Sequence, residues 1–367
     1  MQASWAVPAM AFIGGILLTH YFERAFRKLD EKLTFAIRTR AARQAYELSY
    51  RAFAFDPEDL LFLCIRRWNI RSMPAESENI GPTRVSTTRA RPQDWVDSQE
   101  IDRARHQLRE RHVGNPCASL VTYQIDDRES EDTTKFFLTV QEGHYSDYVA
   151  VRDYFGNPEH LNELQMVYQR VKLNGIRSVA ESAPMSDIVI NVSVLDVSGD
   201  VLILQRSDSV TTYPRSWQIG AHETMNWRTE RFAGDLEPSP ETCFSAARRA
   251  LLEEIGLKPE DYGGHIAFSW FGLYLRDASF YFFAHVKSRL TKAEIELRIK
   301  RDAESEWESR AIGWLPLQQR SLKEVIATWK GLSPIAPQGR TDKLGRTWLP
   351  HASVSLVQLW QARNMLN

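Results

Sequence analysis

The residues best suited to chemistry are concentrated in one run, residues 240–257, which reads PETCFSAARRALLEEIGL. Glu253 and Glu254 are adjacent, Arg249 precedes Glu253 by four residues, and Glu241 precedes Arg249 by eight. Residues three and four apart share one face of a helix, so side chains at positions 250, 253 and 254 would project together. Grouped carboxylates can hold Mg²⁺, which neutralises phosphate oxygens while water attacks a pyrophosphate. Arg249 is placed to orient Glu241, or a phosphate, through two parallel hydrogen bonds.

The spacing in this run resembles the motif of the Nudix family, G-x5-E-x7-R-E-U-x-E-E-x-G-U, in which U is aliphatic. The residues that match it in register are Glu241, Arg249, Leu251, Glu253, Glu254, Gly256 and Leu257. The runs Leu204–Arg206 and Tyr213–Gly220 are similar to the segments that precede the motif in many members. The resemblance extends from Asp187 to Leu317. It implies a Nudix α/β/α sandwich with a mixed sheet, which binds a nucleoside diphosphate derivative beside a divalent cation.

The resemblance also implies roles for single residues. The Mg²⁺ ligands would be Glu253, Glu254 and Glu241. Glu253 and Glu254 would act in catalysis together with Glu304 or Glu306, although a solvated acidic turn explains the last two equally well. The residues expected near the nucleotide and its phosphates are Arg206, Arg215, Trp217, His222 and Arg249. For Trp217, filling the core is the preferred interpretation.

Two positions depart from the family pattern. Position 250 is alanine where the family has a glutamate that binds metal and often helps to activate water, so metal affinity should fall. Gly220 lies 21 residues before Glu241, whereas the family spacing is six. An insertion at about Thr224 to Pro240 would therefore lie at the mouth of the substrate site, as a lid or specificity loop.

Apolar periodicity around this segment predicts an α+β fold. The expected strands are Leu60–Trp68, Ser119–Ile125, Phe136–Val140, Ile188–Val197, Val201–Gln205, His265–Leu275, Ser279–Val286 and Ala311–Leu315. The expected helices outside the motif are Gln99–His112, Tyr145–Phe155, Pro158–Val171 and Pro350–Arg363, and Ser72–Asp97 is expected to be a loop. We expect an α+β domain of unknown role at 55–183 and a Nudix-like domain with a carboxyl-terminal helix at 184–367. Aromatic residues and an arginine at Tyr145, Tyr148, Arg152 and Tyr154 could face a ligand, although core packing is the preferred interpretation.

The amino terminus predicts a membrane anchor. Residues 3–22 carry no formal charge, and twenty helical residues span about 30 Å, the thickness of a hydrocarbon core. Basic residues exceed acidic ones over residues 23–51, which places the bulk of the chain in the cytoplasm by the positive-inside rule. We therefore expect a single-pass transmembrane helix at 1–22 in the inner membrane and an amphipathic helical stalk at 23–54. A buried or oligomer-packing helix is the alternative.

Composition excludes some function classes. Lys and Arg total 46 and Asp and Glu total 47, for a net charge of -1. A duplex nucleic acid partner is not expected, because dedicated DNA binders usually carry a basic excess. The three cysteines, Cys64, Cys117 and Cys243, show neither metal-ligand spacing nor a disulfide framework, so we expect reduced thiols.

Two functions fit these observations. The first is a membrane-anchored nucleotide sensor that binds a nucleotide second messenger with little or no hydrolysis. In architecture it resembles the transmembrane-Nudix effectors of bacterial antiphage signalling, which respond to cyclic oligonucleotides, and that resemblance implies a homo-oligomer acting on the membrane. The second is a membrane-tethered, Mg²⁺-dependent pyrophosphohydrolase of a nucleoside diphosphate derivative.

Overall fold

The computed structural model describes residues 62–67, 84–85, 98–111, 116–126, 135–182, 185–210, 213–228, 239–305, 308–328 and 341–366. All of these residues belong to one compact unit, Phe55–Asn367. The predicted membrane helix at 1–22 and the stalk at 23–54 lie outside the described residues. Within the described part of the chain, no helix is both long and apolar enough to span a bilayer.

Strands and helices alternate in an irregular order, as an α+β chain requires. The described strands are β1 (Phe62–Arg67), β2 (Arg84–Val85), β3 (Pro116–Asp126), β4 (Lys135–His144), β5 (Ile188–Leu195), β6 (Val201–Arg206), β7 (Trp217–Ile219), β8 (Ala221–Thr224), β9 (Trp227–Arg228), β10 (Ser239–Pro240), β11 (Ala267–Tyr274), β12 (Ser279–Lys287) and β13 (Ser309–Leu315). The described helices are α1 (Ser98–Arg111), α2 (Tyr145–Gly156), α3 (Leu161–Asn174), α4 (Arg177–Ser182), α5 (Cys243–Ile255), α6 (Pro259–Tyr262), α7 (Lys292–Asp302), α8 (Gln319–Ala327) and α9 (Pro350–Leu366).

A large mixed sheet forms the centre of the unit. Its strand order is β1–β11–β12–β5–β6–β13, with β7 paired to β6 and β8 paired to β5. The β12–β5 pair is parallel, and the other pairs of this sheet are antiparallel. The α+β class and the mixed sheet are therefore confirmed.

Helices cover both faces of this sheet. Side chains alternate along a strand, and Ile190 and Val192 of β5 belong to the hydrophobic core that also contains Leu251 of α5. On the opposite face Asn191 accepts a hydrogen bond from Ser355 Oγ of α9 at 2.6 Å. The motif helix and the carboxyl-terminal helix thus lie on opposite sides of β5.

A smaller sheet, β2–β4–β3, stands beside the large one with α1 to α4. The two sheets are joined through the backbone: the amide of Ala118 donates to Met225 O at 2.8 Å, and that of Leu120 donates to Ser186 O at 2.7 Å. Phe136 of β4 packs against Phe271 of the large sheet with ring centroids 4.8 Å apart. In addition, β1 extends the large sheet by pairing with β11.

Local signals explain where α5 begins and ends. Thr242 caps its amino terminus by accepting from the Ser245 amide, and Gly256 ends it in a left-handed conformation with φ +74°. A Cβ at position 256 would lie 2.7 Å from Arg298 O, so only glycine fits. The glycine of the motif thus ends the helix.

Most other predicted elements appear within a few residues of their expected ends. The exceptions are local: Arg84–Val85 form a short strand within the predicted loop Ser72–Asp97, and Pro158–His160 form a 3₁₀ turn before α3. A 3₁₀ turn is common at the start of a helix, because its tighter hydrogen-bond pattern gives a partner to amides that an α-helix leaves unbonded. Cys117 and Cys243 are free and buried.

Candidate functional site

Arg249 holds three carboxylates at the start of the motif. Its Nε and Nη2 donate to the two oxygens of Glu241, each at 3.1 Å, and its Nη1 lies 3.2 Å from Glu253 Oε2. Nη1 also lies 3.2 Å from Glu223 Oε2. Burial lowers the pKa of Arg249, but the charges of Glu223 and Glu241 outweigh that effect and raise it. Arg249 is therefore a permanent cation shared by carboxylates from β8, α5 and the segment before α5.

Glu254 points in another direction. It is buried, and its two oxygens accept hydrogen bonds from the His222 amide at 2.8 Å and from Gln218 Nε2 at 3.2 Å. Burial, reinforced by the charge of Glu223, raises the pKa of Glu254 well above its usual range. Glu254 thus fixes β7 and β8 against the motif helix.

Position 250 lies inside the hydrophobic core. Ala250 is 0% exposed and packs with the core that includes Leu251 and Ile190. Although positions 250, 253 and 254 are helical neighbours, only the last two reach polar partners. A glutamate at position 250, as in the family motif, would place its carboxylate among apolar side chains.

A cavity of about 630 Å³ lies on the α9 side of the sheet. Its walls come from α2, the first residues of α9, the ends of β6, β8 and β11, and the loop before β13. Its polar and aromatic lining residues include Ser146, Tyr148, Arg152, Asp187, Arg206, Tyr213, His222, Glu223, Tyr274, Asp277, Tyr281, Glu308 and His351. Among the described residues α5 contributes nothing to this lining, but its Arg249 contacts the lining residue Glu223 of β8.

Three stacked rings form one wall of the cavity. His222 stacks on His351 with centroids 4.5 Å apart and on Tyr281 at 5.7 Å. The Nε2 atoms of both histidines are buried and have no hydrogen-bond partner among the described residues. Burial, together with the charge of Arg206, lowers the pKa of His222 to about 3 and that of His351 well below its usual value. Both imidazoles are therefore neutral at physiological pH.

Two arginines supply positive charge to the cavity. Arg206, at the end of β6, donates from Nη1 to Gln218 Oε1 at 3.1 Å. Arg152, on α2, pairs with Asp153 and lies over the Tyr148 ring at 5.9 Å. One cation thus comes from the large sheet, and the other comes from α2 beside the smaller sheet.

Four carboxyl groups, of Asp187, Glu223, Asp277 and Glu308, also line the cavity. Burial raises the pKa of Asp187 to about 7 and that of Asp277 to about 6. Burial also raises the pKa of Glu223 and of Glu308, while Arg249 acts against it at Glu223 and Arg206 at Glu308. A raised pKa reduces the cost of protonating a carboxylate, so these groups can become neutral when an anion enters.

The predicted ligand residues fall into different places. Arg206 and His222 line the cavity, whereas Arg249 does not line it and contacts the lining residue Glu223. Arg215 does not line it; its side chain is 69% exposed and pairs with Asp208. Trp217 packs on Trp348 with centroids 6.3 Å apart, and Arg346 lies 5.9 Å from its ring centroid.

The predicted acidic turn lies next to α5. The Ser305 amide donates to Glu253 O at 2.8 Å, which holds the turn against the motif helix. Glu304 is exposed, and Glu306 lies outside the described residues. The neighbouring Glu308, which the sequence did not single out, lines the cavity.

The base of the predicted insertion is ordered. β9 and β10 form a two-stranded ladder that pairs Trp227 with Pro240, and residues 229–238 between them lie outside the described residues. Thr224 and Asn226, just before β9, line the cavity. The insertion therefore leaves the sheet at the cavity rim.

Two of the predicted metal ligands, Glu241 and Glu254, have both carboxyl oxygens bonded within the protein. In the part of the chain that the structure describes, no group of three or more His, Cys, Asp or Glu side chains is arranged to hold a metal ion. Glu241 has both oxygens bonded to Arg249, and one of them also accepts from the Asn226 amide at 2.9 Å. Both oxygens of Glu254 are bonded as well. The oxygens of Glu241 and Glu254 are therefore engaged by donors of the protein itself.

Several cavity residues were not predicted from the sequence. Asp187, Glu223, Asp277, Glu308 and His351 carry no motif spacing, and they meet only through the fold. Tyr145, Tyr148 and Arg152 line the cavity, although core packing was the preferred interpretation; Tyr154 instead stacks on His160 at 3.9 Å. The grouping of Tyr145, Tyr148 and Arg152 on one helix was the sequence feature that indicated a ligand-facing surface.

Comparison with known proteins identifies no family. No family model and no curated protein matches the chain. Among the solved structures that match, that of DR0079 from Deinococcus radiodurans aligns with 41% of this chain and 78% of its own at 15% sequence identity and a TM-score of 0.27. A similarity of that extent carries no argument about fold or function.

Proposed function

We propose that this protein is a Nudix-type nucleotide-binding protein that retains its ligand with little or no hydrolysis. The observation that carries the proposal is the cavity, in which Arg152 and Arg206 stand around the stacked rings of His222, His351 and Tyr281. A nucleotide combines a flat base with an anionic phosphate, and this lining offers a partner for each part. The volume, about 630 Å³, is within the usual range of small-molecule sites.

The arginines would bind the phosphate part of the ligand, and the ring wall would bind its base. Arg206 can bind phosphate oxygens through its planar fork of donors. The ring wall can stack the base, since every base has a π-face. Burial raises the pKa of Glu223 and of Glu308, which lowers the cost of protonating these two carboxyls when an anion binds.

Binding without hydrolysis is favoured by the state of the motif. Ala250 is buried among apolar side chains, Glu241 is bound to Arg249, and Glu254 is bound to β7 and β8. The family resemblance assigns these glutamates to metal binding and catalysis. In this chain their hydrogen bonds hold β7, β8 and the motif helix together. A sensor gains from this arrangement, because it does not destroy its signal.

The membrane part of the proposal depends on the sequence. Residues 1–22 would anchor the chain in the inner membrane, and ligand binding would rearrange the cytoplasmic units of an oligomer so that the membrane helices associate, as an antiphage effector would require. The energy available for such a change is the difference in ligand affinity between the two arrangements. Dye release from liposomes that contain the full chain, with and without nucleotide, tests it. Release that does not depend on nucleotide would contradict it.

Binding is tested on the full chain in detergent by calorimetry. The ligands are ATP, GTP, CTP, UTP, cyclic di-AMP, cyclic di-GMP and cyclic triadenylate, each with and without Mg²⁺. We expect one or more to bind, and Arg206→Ala to weaken that binding by roughly ten- to hundredfold, the worth of a hydrogen bond to a charged group. Arg301→Ala is the matched control, because Arg301 is exposed and pairs with Asp302 on α7, outside the cavity.

Product analysis separates binding from hydrolysis. Chromatography of the incubated nucleotides should show no Mg²⁺-dependent product. Turnover that Glu254→Gln abolishes would instead establish the pyrophosphohydrolase. Absence of binding by every nucleotide would defeat both functions.

A further inference from the structure

One wall of the cavity is a single strip of chain, formed by β8 and the residues just after it. The lining residues of this cavity strip are His222, Glu223, Thr224 and Asn226. β8 packs against the motif helix α5, and no described residue of α5 lines the cavity. The motif helix can therefore hold the cavity strip in place without touching a ligand.

Arg249 holds the middle of the cavity strip. Its Nη2 donates to Thr224 O at 2.6 Å, and its Nη1 lies 3.2 Å from Glu223 Oε2. One contact fixes the backbone of a lining residue, and the other fixes the carboxylate of its neighbour. A guanidinium can make both contacts at once, because its donors form a rigid planar fork.

Glu241 holds the end of the cavity strip. Its Oε2 accepts from the Asn226 amide at 2.9 Å, and its own amide donates to Asn226 O at 3.0 Å. The Glu241 side chain is 1% exposed, and its two oxygens also accept from Arg249 at 3.1 Å each. Charge-assisted hydrogen bonds of this kind are about twice as strong as neutral ones. A shift of Arg249 would therefore reach Asn226 through Glu241.

The start and the far side of the cavity strip are fixed as well. The His222 amide donates to Glu254 Oε1 at 2.8 Å. Thr224 Oγ1 donates to Oδ2 of the lining residue Asp187 at 3.2 Å. Each of the four lining residues of the strip is thus bonded to a charged residue at position 241, 249 or 254.

We propose, on the basis of the nucleotide-binding function above, that Arg249 is a positioning residue for the nucleotide. Together with Glu241 it fixes the cavity strip, so that the ring of His222 and the lining groups after it keep their places in the wall. A ligand then meets a wall that is already ordered, and binding costs less entropy. This role acts on affinity and needs no contact between the motif helix and the ligand.

Calorimetry of the full chain in detergent tests this role, with ATP, GTP, cyclic di-AMP and cyclic di-GMP as probes. Arg249→Lys keeps the positive charge beside Glu223 but loses the planar fork that reaches Thr224 O and Glu241 together. We expect it to weaken each probe that binds the wild-type chain by roughly tenfold, the worth of one hydrogen bond to a charged group. Arg248→Lys, at an exposed position of the same helix, should leave affinity within about twofold.

Leu322→Ala measures the effect of lost stability alone. Leu322 is buried in α8, and no described residue of α8 lines the cavity. Alanine there destabilises the fold by leaving a void in the core. At a temperature where melting shows both variants to be folded, Leu322→Ala should keep the wild-type affinity and Arg249→Lys should not.

Amide exchange of the ligand-free chain, measured by mass spectrometry, locates the effect. Arg249→Lys should speed exchange at residues 222–226 and leave α7, at residues 292–302, unchanged. Glu241→Gln is a second variant of similar size, in which only one side-chain oxygen remains to accept from Arg249 and the Asn226 amide. We expect it to speed exchange over the same residues and to weaken binding by roughly three- to tenfold.

Failure of the positioning role is distinct from failure of nucleotide binding. Wild-type affinity in folded Arg249→Lys, or in Glu241→Gln if Arg249→Lys does not fold, would overturn the role and leave the proposed function standing. Equal losses of affinity in Arg249→Lys and Leu322→Ala would also overturn it, as would unchanged exchange at residues 222–226. No binding of any probe by the wild-type chain would overturn both proposals.

Discussion

Replacing Arg249 by alanine would leave three carboxylates without their shared cation. The side chain of Glu241 is 1% exposed, whereas those of Glu253 and Glu223 are 29% and 27% exposed. Breaking a buried ion pair by removing one partner costs about 3–5 kcal/mol, and exposed pairs add little. Arg249→Ala should therefore lower the free energy of unfolding by about 4 kcal/mol. In a unit of this size that corresponds to a melting temperature lower by roughly 10 °C.

The assay is equilibrium denaturation together with thermal melting of the full chain. Arg248→Ala is the matched control, because the neighbouring Arg248 is exposed and should change stability by no more than about 0.5 kcal/mol. The double variant Arg249→Ala, Glu241→Gln should recover part of the loss, since it removes the buried unpaired charge. If Arg249→Ala were as stable as Arg248→Ala, the view of Arg249 as the centre of a buried charge network would be refuted.

Three further substitutions have defined outcomes. Because its folded pKa is raised to about 7, Asp187 contributes stability that is present below about pH 4 and lost as the pH rises through 7, roughly 4 kcal/mol in all. Asp187→Asn should thus gain stability over wild type between pH 5 and pH 8 in melting experiments, and a constant difference would contradict this. Gly220→Ala should cost more than about 2 kcal/mol of unfolding free energy, because φ is +61° and a Cβ would lie 2.0 Å from Val192 O; an unchanged denaturation midpoint would refute the argument. Ala250→Glu should destabilise the fold by at least about 3 kcal/mol without creating Mg²⁺-dependent hydrolysis, and a fully stable, hydrolysing variant would show that position 250 can reach a metal.

Sequence spacing predicted the motif region well, because its interactions are local. The run from Thr242 to Gly256 contains its own cap and stop, and the pairing of Arg249 with Glu241 follows from eight residues of separation. Strand alternation likewise predicted β5, β6, β11 and β12. None of these inferences needed knowledge of distant contacts.

The cavity could not be predicted in the same way, because its walls are distant in sequence. His222 meets His351 across 129 positions, and Arg152 reaches the site because β3 is joined to the segment before β9. Glu308 rather than Glu304 lines the cavity, a difference decided by the path of one turn. Alternation could not show that Glu223, and not Glu253 or Glu254, would line the cavity.

Hydrogen exchange of the full chain, measured by mass spectrometry with and without GTP, tests the central claim most directly. If the cavity binds the nucleotide, GTP should slow exchange in α2, at residues 145–156, and in β8, at residues 221–224. Protection confined to a second surface cavity, which α8 lines with Arg320 and Lys323, or no protection with any nucleotide, would contradict the account.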